Sequence, residues 1–173
     1  MAYRYAFNNY NKELMAKAVG HSLSVSTKQC VEICSHIRGK NIARAKTILN
    51  NVIAMKEAIP FKRFNQSVAH KKGIGPGRYP VKACTAVLSI IKTAKSNAQF
   101  KGLNKSNMIL RHICAHKAST PWHYGRQRGV KMKRTHVEVV LEEVKDAKQD
   151  KDPKKSAAAK HDDNKQPIKA KKE

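Results

Sequence analysis

Between Glu57 and Glu138 the chain has no aspartate or glutamate. Those eighty residues, 58–137, hold seventeen Lys and Arg. Metal-assisted phosphodiester chemistry needs a carboxylate cluster, so the missing acids argue against it. Six of the twelve acids lie in residues 146–173, which leaves Glu13, Glu32, Glu57, Glu138, Glu142 and Glu143 in the body. The formal net charge is +24, and a run this unbalanced repels itself unless a polyanion lies against it. Nucleic-acid phosphate is the fitting partner. The cations do not accompany a bulky apolar insertion face, which disfavours a membrane surface. No run approaches the ~18 apolar residues of a membrane span, and residues 1–12 lack an apolar signal core. Neither signal-led secretion nor a membrane partner is expected. Cysteine is scarce: four, with no Cys-x-x-Cys. That fits reduced, buried thiols in a cytosolic protein better than a disulfide scaffold.

What is present has helical and strand periods. Residues 1–20 carry Tyr3, Tyr5, Phe7 and Tyr10 without a period and read as an extended arm packed on a neighbour. Residues 21–26 alternate, with Leu23 and Val25 on one face, and read as a short strand. Ser26-Thr27-Lys28-Gln29 has the form of a capping box. It opens a helix with Cys30, Ile33, Cys34 and Ile37 inward and Gly39 as its stop. A second helix spans about 41–56, with Ile42, Ala45, Ile48, Leu49, Val52 and Met55 inward and Pro60 beyond it. Between 61 and 79 the period dissolves into charge, aromatics and glycine. A third helix covers about 80–101, before Gly102.

Two strands follow, 108–117 and 135–144. In the second, Val137, Val139 and Leu141 share a face, with His136, Glu138 and Glu142 mostly opposite. The sixteen residues between them, 118–133, contain Arg126, Arg128, Lys131 and Lys133 and no acid. Hairpins close in about two to five residues, so this is either a loose surface loop or an arm that orders against a polyanion. At ~3.3 Å per residue, eight residues each way reach roughly 25 Å. Residues 146–173 hold nine Lys, six acids and almost no apolar bulk, and read as a disordered charged tail. The expected fold is α+β: three helices on a small three-stranded antiparallel sheet, with a long basic β-hairpin extension. The domain boundaries are 1–20, 21–145 and 146–173.

His112, Cys114 and His116 alternate along one strand. Same-face positions stand nearly 7 Å apart, wide for one tetrahedral ion, so no metal and no cofactor is expected. The glycine run Gly73-Ile74-Gly75-Pro76-Gly77-Arg78 lacks the Lys-Ser/Thr end of a phosphate loop. Basic residues grouped with aromatics and without acids point to nucleic acid. RNA is favoured over DNA because no helix reads as a groove-reading module with a dimer partner.

Ile37-Arg38-Gly39-Lys40, with Ala45 and Ile48-Leu49, resembles a signature of the universal large-subunit ribosomal protein L twenty-two family (L seventeen in eukaryotic naming). Lys133-Arg134-Thr135-His136-Val137-Glu138-Val139-Val140 resembles its closing strand. Ile59-Pro60-Phe61-Lys62-Arg63-Phe64-Asn65 and Gly77-Arg78-Tyr79-Pro80-Val81-Lys82-Ala83 look like its archaeal and eukaryotic branch, and Ala115-His116-Lys117 looks archaeal. The likeness covers roughly residues 21–144. It implies a structural, non-enzymatic, cytoplasmic component of the large ribosomal subunit, seated on large-subunit rRNA beside neighbouring ribosomal proteins. It also implies an arm lining the nascent-peptide exit tunnel, with the nascent polypeptide as a partner, and no homo-oligomer is expected. Arg38, Lys40, Arg63, Lys72, Arg78, Lys117, Lys133 and Arg134 are the rRNA-contact candidates by resemblance. Lys62, Lys71, Lys82, Arg126, Arg128 and Lys131 join them from the basic grouping. The arm tip is Trp122, His123, Tyr124, Gly125, Arg126, Gln127 and Arg128. The arm is a few residues shorter than the family pattern, and its tip has Trp122-His123-Tyr124 where more arginine is expected. The alternatives are a free-standing RNA-binding or RNA-chaperone module and, third, a basic RNA-processing enzyme.

Overall fold

A computed structural model describes residues 3–104, 107–126 and 129–144. Three helices and two small antiparallel sheets follow in the order β1 Met15–Leu23, α1 Thr27–Ile37, α2 Ile42–Ile53, β2 Ile59–Pro60, β3 His70–Lys71, β4 Gly75–Arg78, α3 Val81–Phe100, β5 Met108–Lys117 and β6 Thr135–Glu143. The main sheet has the order β1-β6-β5 and the smaller one β2-β4-β3. No helix among the described residues is long and apolar enough to cross a membrane.

The alternation of β6 builds the core. Val137, Val139 and Leu141 are buried against the helices with Ala16, Ala18, Leu110 and Ile113 from the flanking strands. α3 packs on β1 and β6, and α1 packs on β5. Gly20 lets α3 come close: a Cβ there would lie 2.6 Å from Ile90 Cδ1. Cys30, Cys34 and Cys84 are buried in this layer. Burial pushes the Cys30 thiol up to about 11 and that of Cys84 up to about 12, so both behave as small apolar side chains.

The first strand is not at 21–26. It is Met15–Leu23, taking up residues assigned to the arm. Its inward residues are Ala16, Ala18 and Gly20, too small to print an apolar alternation. A bulge separates Gly20 from Leu23, where Ser22 has φ 46°. The capping box also fails, because Ser26 makes no side-chain cap bond. A hydroxyl relay holds the helix start instead: Thr27 Oγ1 lies 2.8 Å from Thr135 Oγ1, which donates to the Val25 carbonyl at 2.9 Å. α2 ends at Ile53 rather than near 56. Met55 turns left-handed at φ 60° and is 60% exposed, not inward. The stretch read as irregular, 61–79, contains β3 and β4, and β2 lies just before it; all three are too short to show a period. Between β5 and β6, backbone bonds recur at Ala118 N–H to Arg134 O, Met132 N–H to Pro121 O and His123 N–H to Val130 O.

Residues 3–14 of the same chain lie on the sheet's second face. Tyr3 meets His21 edge-on at 4.9 Å between centroids, and Phe7 lies 5.3 Å from His112. The clamp is Glu138, 0% exposed. Its carboxylate accepts from Ala6 N–H at 3.2 Å and lies 2.9 Å from His112 Nε2 and 3.2 Å from His116 Nε2. Burial alone would raise its pKa. The hydrogen bonds from His112, Ala6 and His116 outweigh burial and hold it below the ordinary 4.5. Glu138→Ala strands those donors and should destabilise the fold by about 3 kcal/mol in urea titrations. A lowered native pKa means that the carboxylate's contribution is full above about pH 4.5 and drains as the pH falls through the native value. Glu138→Gln should therefore lose that part of the acid limb, and an unchanged pH–stability curve would refute the clamp.

Candidate nucleic-acid interface

The second buried acid organises the first cationic group. Glu32 points from α1 and is 3% exposed. It accepts from three successive amides: Lys62 N–H at 3.2 Å, Arg63 N–H at 2.8 Å and Phe64 N–H at 2.8 Å. A carboxylate on amide donors is a strong, charge-assisted arrangement. Because its charge is spent on the backbone, the exposed side chains of Lys62 and Arg63 are left without that acid as a partner.

Aromatic rings interleave with these cations. The guanidinium of Arg63 lies 5.5 Å and the ammonium of Lys28 5.6 Å from the Phe64 ring. Arg78 lies 5.8 Å from Phe61, and Lys71 lies 5.4 Å from Tyr79. Arg78 also donates to the Ser67 carbonyl at 3.2 Å. The β3–β4 turn uses Gly73 and Gly75 at φ 80° and 71°, and carries Lys72 exposed at its tip. Lys82 is exposed in the first turn of α3.

Lys40 and Lys62 converge with Glu32, Ser35, His36 and Pro60 on a cleft of about 230 Å³. Burial, then the charge of Lys40, lowers the pKa of His36. Arg38 is at the α1–α2 corner, where Gly39 has φ 75°. Its Nη2 donates to Ile113 O at 2.9 Å. Gly39 N–H donates to Leu110 O, and Leu110 N–H donates to Lys40 O. The Arg-Gly-Lys corner is thus bolted to β5.

A second group surrounds the ends of β5 and β6. Lys117 and Lys133 are exposed, and Arg134 Nη1 donates to Ser22 O at 3.3 Å. Farther out, Lys131 Nζ lies 4.5 Å from the Trp122 ring, whose residue bridges to Lys131. The His123 and Tyr124 rings stack at 5.2 Å. Arg126 is exposed beyond them. Gln127, Arg128 and the tail 146–173 lie outside the described residues.

The structure therefore joins Lys40 to Lys62 across the cleft, clusters Arg63 and Arg78 with the aromatics, and places Lys117, Lys133 and Arg134 at the arm's base. Lys28 was missed because it lay in an expected cap. Lys46 was missed because its neighbours Lys92 and Lys95, whose charges add to burial in lowering its pKa, lie on a distant helix. Among the described residues, the Lys/Arg–carboxylate pair is Arg111–Glu142 at 3.4 Å. The other described cations find no carboxylate that close.

His112, Cys114 and Glu138 offer ligand atoms within 4.8 Å of one another. The spacing along β5 alone hid this, because Glu138 comes from β6, opposite Cys114. The Glu138 carboxylate of this group is hydrogen-bonded by Ala6, His112 and His116.

Fold and surface together define a basic α+β domain that buries two of its acids and displays its cations. A family model described as ribosomal protein L22p/L17e matches residues 18–142. The large ribosomal subunit protein uL22 of Methanosphaera stadtmanae is 41% identical over 148 residues, covering 81% of this chain and 96% of the relative. That of Staphylothermus marinus is 38% identical over 153 residues, covering 82% and 98%. That of Thermoplasma acidophilum is 44% identical over 116 residues, covering 64% and 77%. The chain belongs to the ribosomal protein L22p/L17e family.

Glu32→Ala should free the amides of residues 62–64 and destabilise the fold by on the order of 3 kcal/mol. Hydrogen exchange should accelerate at those three amides ahead of the core. Unchanged protection there would show that the loop holds itself.

Proposed function

We propose that this chain is a structural, non-enzymatic constituent of the large ribosomal subunit that binds large-subunit rRNA. The observation that carries the reading is the acid-free basic stretch, seventeen Lys and Arg across residues 58–137, while Glu32 and Glu138 are consumed inside. Family membership supplies the assembly. Arg38, Lys40, Lys62, Arg63, Lys71, Lys72, Arg78 and Lys82 contact rRNA from the body. Lys117, Lys133 and Arg134 do so from the arm's base, and Arg126, Arg128 and Lys131 from the arm itself. Phosphate beside Lys40 and Lys62 offsets their mutual repulsion.

Residues 118–133 form a long basic β-hairpin extension, whose tip from Trp122 to Arg128 lines the nascent-peptide exit tunnel. The recurring backbone bonds out to His123 and Val130 support a two-stranded arm. The nascent polypeptide and neighbouring ribosomal proteins are the remaining partners. The chain acts as one copy in cytoplasmic ribosomes, through the domain at residues 21–145.

Removing residues 118–133 and joining Lys117 to Arg134 through a tight turn should spare the fold, since Val137, Val139 and Leu141 keep their places. Binding to large-subunit rRNA should become less sensitive to salt, with the log–log slope falling by roughly 0.7 to 0.9 for each phosphate that the shortened chain no longer neutralises. Wild-type chain should also sediment with large subunits through a salt wash. An unaltered slope would remove the arm from the interface, and release of the wild-type chain at the wash would favour the free-standing module.

A further inference from the structure

A separate feature lies where the N-terminal segment meets the end of α3. Tyr10, Lys12, Lys17, Asn97, Phe100 and Lys101 line an open, mostly apolar pocket of about 390 Å³. None of these six is among the rRNA-contact candidates. Phe100 is 95% exposed, an unusual place for a large aromatic on a domain with so few. It is nevertheless firmly mounted. It closes α3, and the next residue, Lys101, spends its ammonium protons on Tyr10 Oη at 2.7 Å, Met15 O at 2.9 Å and Lys12 O at 3.1 Å. Asn97 Nδ2 donates to Lys17 O at 2.9 Å and ties the same helix to β1. The Tyr10 ring has Lys17 Nζ at 4.8 Å and Lys101 Nζ at 5.2 Å. Lys12, Lys17 and Lys101 thus line a mostly apolar floor, with no carboxylate among the lining residues.

We propose that this pocket takes one unstacked nucleobase from a single-stranded RNA segment, the base lying on Phe100 and its flanking phosphates on Lys12 and Lys17. The chemistry favours this occupant for two reasons. An aromatic face stacks on any base, and ammonium groups beside it track the backbone. An apolar protein segment would fill the floor but offer no anion to Lys12 and Lys17, whereas a nucleotide satisfies both parts. The inference rests on the RNA-binding reading above and adds to it a contact outside the 62–78 loops and the arm.

The test compares two probes on the full chain: a labelled oligoadenylate of about ten nucleotides, within the site sizes of single-strand binders, and an RNA duplex of equal length. Phe100→Ala should weaken oligoadenylate binding by roughly 5- to 150-fold, the range for removing one stacked base, and leave duplex binding unchanged. Phe100→Leu, which keeps apolar bulk without a π face, should behave like the alanine variant. Lys12→Ala with Lys17→Ala should lower the oligoadenylate salt slope by roughly 0.7 for each phosphate left without its ammonium. Full oligoadenylate affinity in Phe100→Ala, with duplex binding intact, overturns the pocket alone. Wild-type affinity in Phe100→Leu shows recognition of apolar bulk, as by a protein segment, and overturns it too. A wild-type chain that binds neither probe overturns the RNA-binding reading and the pocket with it.

Discussion

Everything on the surface depends on where two carboxylates went. Glu32 and Glu138 lie outside the acid-free stretch, and both fold into the interior to accept hydrogen bonds from within the chain. A buried carboxylate is tolerated only with such donors, so each one dictates local geometry. Glu32 fixes three consecutive amides of the basic 62–64 loop against α1. Glu138 fixes the N-terminal segment and two histidines of β5 on the outer face of the main sheet. Those contacts order the scaffold and remove negative charge from the surface. Neither carboxylate is then available to the exposed cations.

The same economy explains the small side chains. Ala16, Ala18 and Gly20 let α3 lie close on β1, and Ala83, Ala94 and Ala98 are buried on α3 itself. A tight helix–sheet layer gives β5 and β6 a firm base, from which backbone pairing continues outward toward Trp122 and Lys131. Aromatics, scarce in the chain, lie mostly beside cations: Phe61, itself buried in the core, and Phe64 at the loops, Trp122 near Lys131, Tyr5 and Tyr10 under Lys17. A ring beside a guanidinium or ammonium orients it while leaving its charge uncancelled, which suits a surface meant for phosphate.

The helices were legible because α1, α2 and α3 carry large apolar residues at helical spacing. β6 was legible from the alternation of Val137, Val139 and Leu141. β1 was not, because alanine and glycine pack without advertising a face. The Ser26 cap was misread because a residue 108 positions away from Thr27 took over the helix start. Met55 was misread because a left-handed turn ended α2 one turn early. The basic positions could be read as a group from charge alone, but their supports could not. Which acid holds which loop is a tertiary fact: Glu32 is 30 residues from Lys62, and Glu138 reaches Ala6 across 132. The cross-strand meeting of Glu138 with His112 and Cys114 was hidden for the same reason.

Among the described residues most Lys and Arg side chains have no carboxylate within reach, and the proposed function gives them a polyanion. The direct measurement is urea stability of the free chain as salt rises from about 0.05 M to about 0.5 M, alongside affinity for large-subunit rRNA over the same range. Screening should relieve self-repulsion, so the free chain's midpoint should rise while rRNA affinity falls steeply. A midpoint that falls with salt, or an affinity that ignores it, would mean that the cations already have their partners within the fold.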